Sequence, residues 1–177
     1  MRDTPDIWSA RHVVALLLFV LSPALWASEP ELNRPLTPLR IKLLSGQVAG
    51  QPPSDRILVV NLWATWCVPC RKEMPDIEAF YKQYKSRGVD VIAVSLDDRD
   101  ELAKVKQVMT AYSFPAALAV DSDLRGLGRL RHVPATFVID KNGVLKRNGW
   151  HLPASVDFAT LESAVLPLLE PVVSASH

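Results

Sequence analysis

The stretch Ile57-Leu58-Val59-Val60-Asn61-Leu62-Trp63-Ala64-Thr65-Trp66-Cys67-Val68-Pro69-Cys70-Arg71-Lys72-Glu73-Met74-Pro75 decides the fold. Its first seven residues form a nearly continuous apolar run, the pattern of a strand buried on both faces. From Cys70 the positions Cys70, Met74, Ile77, Tyr81 and Tyr84 step by four and three, which is one face of a helix. The two Cys therefore stand where a buried strand gives way to a helix.

Working outward, Gly88 is a helix stop and Val89 to Ser95 (VDVIAVS) is a second buried strand. Asp98 followed by Glu101 predicts an approximate capping box, and Leu102, Val105, Met109 and Tyr112 mark the helix face behind it. Ala116 to Val120 reads as a third strand, Asp123 to Arg131 as a short helix and Thr136 to Ile139 as a fourth strand. Asn142-Gly143 is a hairpin turn, and Val144 to Lys146 pairs back. Phe158, Leu161, Val165 and Leu168 mark a final helix that Pro167 should kink or shorten. On the N-terminal side, Leu39, Ile41 and Leu43 alternate with Arg40 and Lys42 as a short strand, and Val48 begins a return strand. Pro52-Pro53-Ser54-Asp55 separates that hairpin from the strand at Ile57. Strands alternating with helices imply a central sheet with helices on both faces.

Nearer the N-terminus, Val13 to Leu21 is an apolar run preceded by Arg2, Arg11 and His12 and succeeded by small residues. That is the pattern of a secretory signal, cut after Ala27, with an uncleaved anchor as the alternative. The apolar stretch to Ala27 is shorter than the roughly 20 residues a spanning helix needs. Removing the leader leaves about 150 residues, which bury roughly 68–70% of their unfolded surface without a disulfide staple. The expected organisation is 1–27 signal peptide or anchor, 28–38 linker, 39–170 domain and 171–177 tail. Secretion or anchoring places the domain in a periplasmic or extracytoplasmic, oxidising compartment.

The chain has 20 Lys+Arg, 19 Asp+Glu and a formal net charge of +1, with 49% hydrophobic and 22% charged residues. Such a balance excludes a wholly disordered, collagen-like or coiled-coil chain. It also argues against non-specific nucleic-acid binding, which rests on a basic excess. The 2 Cys of the chain are three positions apart. A bridge that closes almost no loop gains little from restricting the unfolded chain, so the pair reads first as chemistry.

A helix start offers unpaired N–H groups and a partial positive charge, which favour a thiolate at Cys67. An ordinary thiol, with a pKa of about 8.5, is about 3% thiolate at pH 7, whereas a pKa near 7 makes about half of it reactive. Helical residues three apart hold their Cβ atoms roughly 5–6 Å apart, and a slightly tightened first turn closes this to the about 3.8 Å of a disulfide. Pro69 fits that turn because it needs no N–H partner. Half of a zinc site is the structural alternative, but it wants further ligands, and His132, His151 and His177 are scattered.

These residues resemble the thioredoxin superfamily, most of all the extracytoplasmic TlpA-like and ResA-like thiol-disulfide oxidoreductases of the cytochrome c maturation type. Val60 to Pro75 carries the resemblance, together with Val133-Pro134-Ala135-Thr136-Phe137-Val138-Ile139-Asp140 and Asn142-Gly143. It implies an α/β thioredoxin fold: a central mixed sheet with helices on both faces, an N-terminal β-hairpin and a central βα insertion. It also implies a redox-active Cys67–Cys70 pair with no cofactor. On its own Pro134 reads equally as an ordinary trans proline opening a strand; the resemblance makes it a cis-proline facing the pair, with Val133 and Pro134 contacting substrate. From spacing alone Glu73 reads as a solvated helix residue paired with Lys72 or Arg71; the resemblance makes it a functional carboxylate that exchanges a proton with Cys70. Trp66 shields the thiolate and contacts substrate, and Trp63 belongs to the core. Asn61 stands where many thioredoxins have a buried acid, which favours the extracytoplasmic branch; alternatively it only hydrogen-bonds within the sheet. His132 reads as a surface residue, and Arg125, Arg129 and Arg131 as a solvated basic face.

The implied partners are a protein disulfide substrate, such as apocytochrome c, and a membrane electron donor, with no nucleic acid. A disulfide oxidase is the runner-up. A copper metallochaperone using Cys67, Cys70 and His132 is a non-enzymatic alternative, since thiolates suit Cu(I). A peroxidase-like reading has a faint echo in Val94-Ser95-Leu96-Asp97, but it wants Thr at the position of Ala64.

Overall fold

The computed structural model describes residues 29–50 and 55–169. The leader expected over 1–27, Pro52-Pro53-Ser54 and the tail over 171–177 lie outside the described residues. Among the described residues no helix is long and apolar enough to cross a membrane.

The elements run β1 (Ile41–Lys42), β2 (Val48–Ala49), β3 (Ile57–Trp63), α1 (Val68–Tyr84), β4 (Val89–Ser95), α2 (Leu102–Met109), β5 (Ala116–Leu118), β6 (Ala135–Ile139), β7 (Leu145–Arg147) and α3 (Phe158–Val165). β1 and β2 form the expected N-terminal hairpin. The main sheet has the order β5-β4-β3-β6-β7. β4 runs parallel to β3 and β5, whereas β6 is antiparallel to β3 and β7 to β6. This mixed sheet, with a βα insertion carried by α2 and β5, is the thioredoxin-like α/β architecture.

Side-chain alternation along β3 divides the core in two. Ile57, Val59 and Trp63 face Met74, Ile77 and Phe80 of α1, Val105 and Met109 of α2, and Leu161 and Val165 of α3. Leu58, Val60 and Leu62 face Leu39, Ile41, Leu127 and Trp150. Fully burying one aliphatic or aromatic side chain of this kind contributes roughly 1.5–3 kcal/mol. A buried polar residue on the α1 side of β3, such as Asn61, is therefore costly unless it is paired.

The helix expected over Asp123 to Arg131 is only a 3-10 turn, Arg125–Leu127. A Cβ on Gly126 would lie 2.1 Å from the Thr37 carbonyl oxygen, and Gly128 takes a φ of 75° that ends the turn. On that face the helical cover is thus short 3-10 turns beside the hairpin, with Leu127 and Ala119 packed into the cluster there. The capping box at Asp98 is absent: Arg99–Glu101 is a 3-10 turn whose Glu101 N–H already bonds the Asp98 carbonyl at 3.1 Å, and the Asp98 side chain caps nothing. Tyr112 falls beyond the end of α2. The third strand stops at Leu118, where a 3-10 turn, Ala119–Asp121, begins. Pro167 shortens the last helix as expected, since α3 passes into a 3-10 turn at Leu166.

The stretch expected as a linker lies against the domain over its described part. Asn33 N–H bonds the Leu145 carbonyl at 2.8 Å, Leu36 N–H bonds that of Gly143 at 3.0 Å, and Leu145 N–H bonds that of Arg34 at 3.0 Å. Residues 33–36 thereby cover the open edge at the start of β7, which would otherwise expose unpaired backbone groups.

Candidate functional site

Cys67 and Cys70 are joined in a disulfide, with Cα atoms 5.3 Å apart. Cys67 is the N-cap of α1 in extended conformation, and the Cys70 N–H donates to its Sγ at 3.2 Å. Pro69 occupies the first turn of α1, where a missing N–H costs nothing. The sulfur at the helix start receives one of the four N–H groups that have no partner within the helix. Cys70 is wholly buried and Cys67 is 4% exposed, whereas the neighbouring Trp66 is 67% exposed. Trp63 is in the core.

The Val133–Pro134 peptide bond is cis. Pro134 is buried at the entry to β6, and the half-buried Val133 packs against the core cluster that contains both Cys. His132 is exposed, with Nδ1 3.3 Å from the Pro134 carbonyl oxygen and its ring edge-on to Trp150. Arg125 pairs with Asp123, and Arg131 with Glu29. Among the described residues no group of three or more His, Cys, Asp or Glu side chains is placed to hold a metal ion.

Glu73 points inward rather than toward Lys72 or Arg71. It is 4% exposed, and its two carboxylate oxygens have separate donors. Asn61 Nδ2 donates to Oε1 at 2.7 Å, and the Val156 N–H donates to Oε2 at 2.9 Å. Asn61 Nδ2 also reaches Thr136 Oγ1 at 3.0 Å, its register neighbour on β6. Burial pushes the Glu73 carboxyl up to about 7, against the two hydrogen bonds and the charge of Arg147, which pull it down. Arg147 donates to the carbonyl oxygens of Thr136 and Pro153; burial lowers its pKa, and Glu73 acts in the opposite sense. A carboxyl titrating near neutrality, one helical turn from Cys70, is suited to take and return a proton.

Of the residues around Glu73, the sequence singles out Asn61, although not as a partner of Glu73. Thr136 carries a signal in retrospect, as a polar residue at an inward position of an apolar strand, paired in register with Asn61. The Val156 N–H and Arg147 carry none, because Val156 arrives from the chain that returns after β7 and Arg147 is brought in by the pairing of β7 with β6.

A mixed sheet ending in a bridged Cys-x-x-Cys at a helix start, with a cis proline leading into the antiparallel strand, defines a thioredoxin-like dithiol protein. The chain belongs to the AhpC/TSA family, whose model matches residues 45–148. It is 37% identical over 86 residues to the thiol-disulfide oxidoreductase ResA of Bacillus thuringiensis (strain Al Hakam), covering 48% of this chain and 49% of that protein. The ResA of Bacillus subtilis (strain 168) is 36% identical over 86 residues, 48% of this chain and 47% of that one. The chain thus spans about half the length of the curated relatives it matches. Among solved structures, a thiol:disulfide interchange protein of the thioredoxin family from Chlorobium tepidum TLS superposes with a TM-score of 0.62 at 24% identity, over 77% of this chain and 98% of that one. That likeness concerns the fold.

Proposed function

We propose that this protein is an extracytoplasmic thiol-disulfide oxidoreductase that reduces particular protein disulfides through Cys67 and Cys70. The observation that carries the reading is the bridged pair at the N-cap of α1, with the Cys70 N–H on Cys67 Sγ. In the reduced form the Cys67 thiolate attacks a substrate disulfide. One Cys67–substrate S–S bond forms, the substrate S–S bond breaks, and one substrate thiolate leaves. Cys70 then loses its proton to Glu73 and attacks Cys67 Sγ. The mixed disulfide breaks, the second substrate thiolate leaves, and the internal bridge forms. Two electrons have passed to the substrate, and a membrane dithiol donor returns the chain to its reduced form.

Trp66, Val133 and Pro134 form the contact surface for the substrate chain in this reading. The exposure of Trp66 beside a nearly covered sulfur supports it. Apocytochrome c is the substrate favoured by the likeness to ResA. Ala64, fully buried and without a hydroxyl, gives no support to peroxide chemistry at Cys67.

Cys70→Ala in the full chain should stall the reaction at a mixed disulfide on Cys67, and the captured protein identifies the substrate. Loss of capture in Cys67→Ser is expected. Capture through neither Cys, with insulin reduction unaffected by Cys67→Ser, overturns the reading. A reduction potential near about −270 mV fits a reductant, while one near about −120 mV reassigns the chain as an oxidase.

A further inference from the structure

We propose that Asp97, a buried acid that the exchange steps do not use, is a positioning residue for Cys67. It closes the stretch Val94-Ser95-Leu96-Asp97 at the end of β4. Its carboxylate grips a single residue of the turn that leads to the sulfur. Asp97 Oδ2 accepts the Thr65 N–H at 2.8 Å, and Oδ1 accepts the Thr65 hydroxyl at 2.7 Å. Ser95 locks the carboxylate from behind: its hydroxyl donates to Oδ2, while the Asp97 N–H donates to Ser95 Oγ at 2.9 Å. One residue earlier, the Leu96 N–H bonds the Trp63 carbonyl at 2.8 Å. The end of β4 thus holds both ends of the segment Trp63 to Thr65.

The turn itself closes by the Cys67 N–H on the Ala64 carbonyl at 3.1 Å. Thr65 lies inside that turn, so a displacement of Thr65 moves the Cys67 backbone directly. The Cys67 sulfur must in turn stay on the Cys70 N–H, which is the contact that stabilises a thiolate there. Ser95 is wholly buried and Asp97 is 4% exposed. A carboxylate so placed is held by charge-assisted hydrogen bonds, which are stronger and shorter than those a neutral side chain makes. Lys104 on α2 feels the charge of Asp97 only as a minor contribution behind that of Glu101.

The sign of the effect separates positioning from simple electrostatics. A carboxylate acting through space disfavours a nearby thiolate, so neutralising it lowers the thiol pKa. A carboxylate acting by holding Thr65 favours the thiolate, so neutralising it raises that pKa. The proposal rests on the exchange reading for its biological meaning, but its observable is the sulfur alone.

The test is the pH profile of iodoacetamide alkylation of reduced full-length protein, monitored on the Cys67 peptide by mass spectrometry, with thermal unfolding recorded alongside. Asp97→Asn and Thr65→Val should each move the midpoint upward, and each unit of rise slows reaction at a pH below both midpoints about tenfold. Thr65→Ser, which keeps both bonds, should behave as the parent, and the Thr65→Val/Asp97→Asn double variant should be no slower than the slower single one. A downward midpoint in Asp97→Asn overturns the proposal. So does Thr65→Ser behaving like Thr65→Val, or a fall in melting temperature with no change in the profile. Should Asp97→Asn not fold, the Thr65 pair decides alone. Insulin reduction by the parent is measured separately: its absence with the midpoint shifts intact defeats the exchange reading and leaves the positioning role standing.

Discussion

Asn61 Nδ2 lies 2.7 Å from Glu73 Oε1, so a side chain of the central strand donates to a carboxylate of the helix that carries both Cys. The same Nδ2 bonds Thr136 on β6, two residues beyond the cis proline. One amide thereby ties the Cys-bearing helix to the strand that leads away from Pro134. The Val156 N–H completes the enclosure from the segment before α3. Each of these donors stabilises the charged carboxylate, whereas burial opposes it, and burial wins. Glu73 is consequently a carboxyl whose charge near neutrality is decided by its packing.

Stability should fall with rising pH through Glu73. Its carboxyl stands at about 7 in the folded chain against an ordinary value of 4.5. A raised pKa means the folded state holds the proton more tightly, so the contribution is complete below about 4.5 and is lost as pH rises to about 7. The span corresponds to roughly 3 kcal/mol as an order of magnitude. Urea unfolding of the disulfide form of the parent and of Glu73→Gln, compared between about pH 4.5 and pH 8, should show this slope in the parent and not in the variant. Equal slopes would remove Glu73 from the pH response.

Asn61→Ala should cost more at high pH than at low pH. The amide serves the ionised carboxylate, and removing it leaves a buried charge short of a donor, a loss of roughly 1–3 kcal/mol. Protonated Glu73 needs that donor less, so the penalty shrinks toward about pH 5. The Glu73 midpoint should also rise above that of the parent, since the Asn61 bond is one of the influences holding it down. Unfolding of the variant at the two pH values checks both statements, and a penalty independent of pH would assign Asn61 to sheet packing alone.

The legible part of the fold is the part whose burial is two-sided or strictly periodic. Ile57–Trp63 and Val89–Ser95 are bounded to the residue because nearly continuous apolar runs leave little alternative register for a buried parallel pair. The α1 face is equally plain, although Tyr81 sits at its margin, only partly buried. The helix expected over Asp123 to Arg131 fails because the close approach of Thr37 to Gly126 is a contact between distant segments, with no local signal. In the site, the Cys pair and Pro69 announce themselves through spacing. The setting of Glu73 does not, because its donors arrive from 12 and 83 residues away. An amphipathic pattern marks a helix face as inward; it does not say which polar group waits there.

Gly126→Ala should destabilise the domain without altering exchange chemistry. The added Cβ would stand 2.1 Å from the Thr37 oxygen and 2.9 Å from Leu39 Cδ2. Backbone and a buried leucine must both move, and overpacking of this kind costs roughly 1–3 kcal/mol. The strain falls on the face that carries Leu39, Ile41 and Leu127, away from the cluster that holds Cys67 and Cys70. Chemical denaturation should register the loss, while the Cys67 alkylation rate below the unfolding range stays at the parent value.

Trp66→Ala should separate substrate contact from sulfur reactivity. At 67% exposure the indole buries little in the folded chain, so the expected change in stability is within about 0.5 kcal/mol. Trp66 precedes Cys67, a residue only 4% exposed, so in the proposed contact a protein disulfide reaching Cys67 covers the indole. Truncating an aromatic at the centre of a contact surface typically costs about 2 kcal/mol or more in binding. Reduction of a protein disulfide should therefore slow by more than about tenfold, chiefly through a higher KM, while reaction with a small aromatic disulfide changes little. The comparison is made on reduced protein with both substrates at one pH. A parallel loss with the small disulfide would mean that Trp66 supports the thiolate itself, and an unchanged rate with both would remove it from the contact surface.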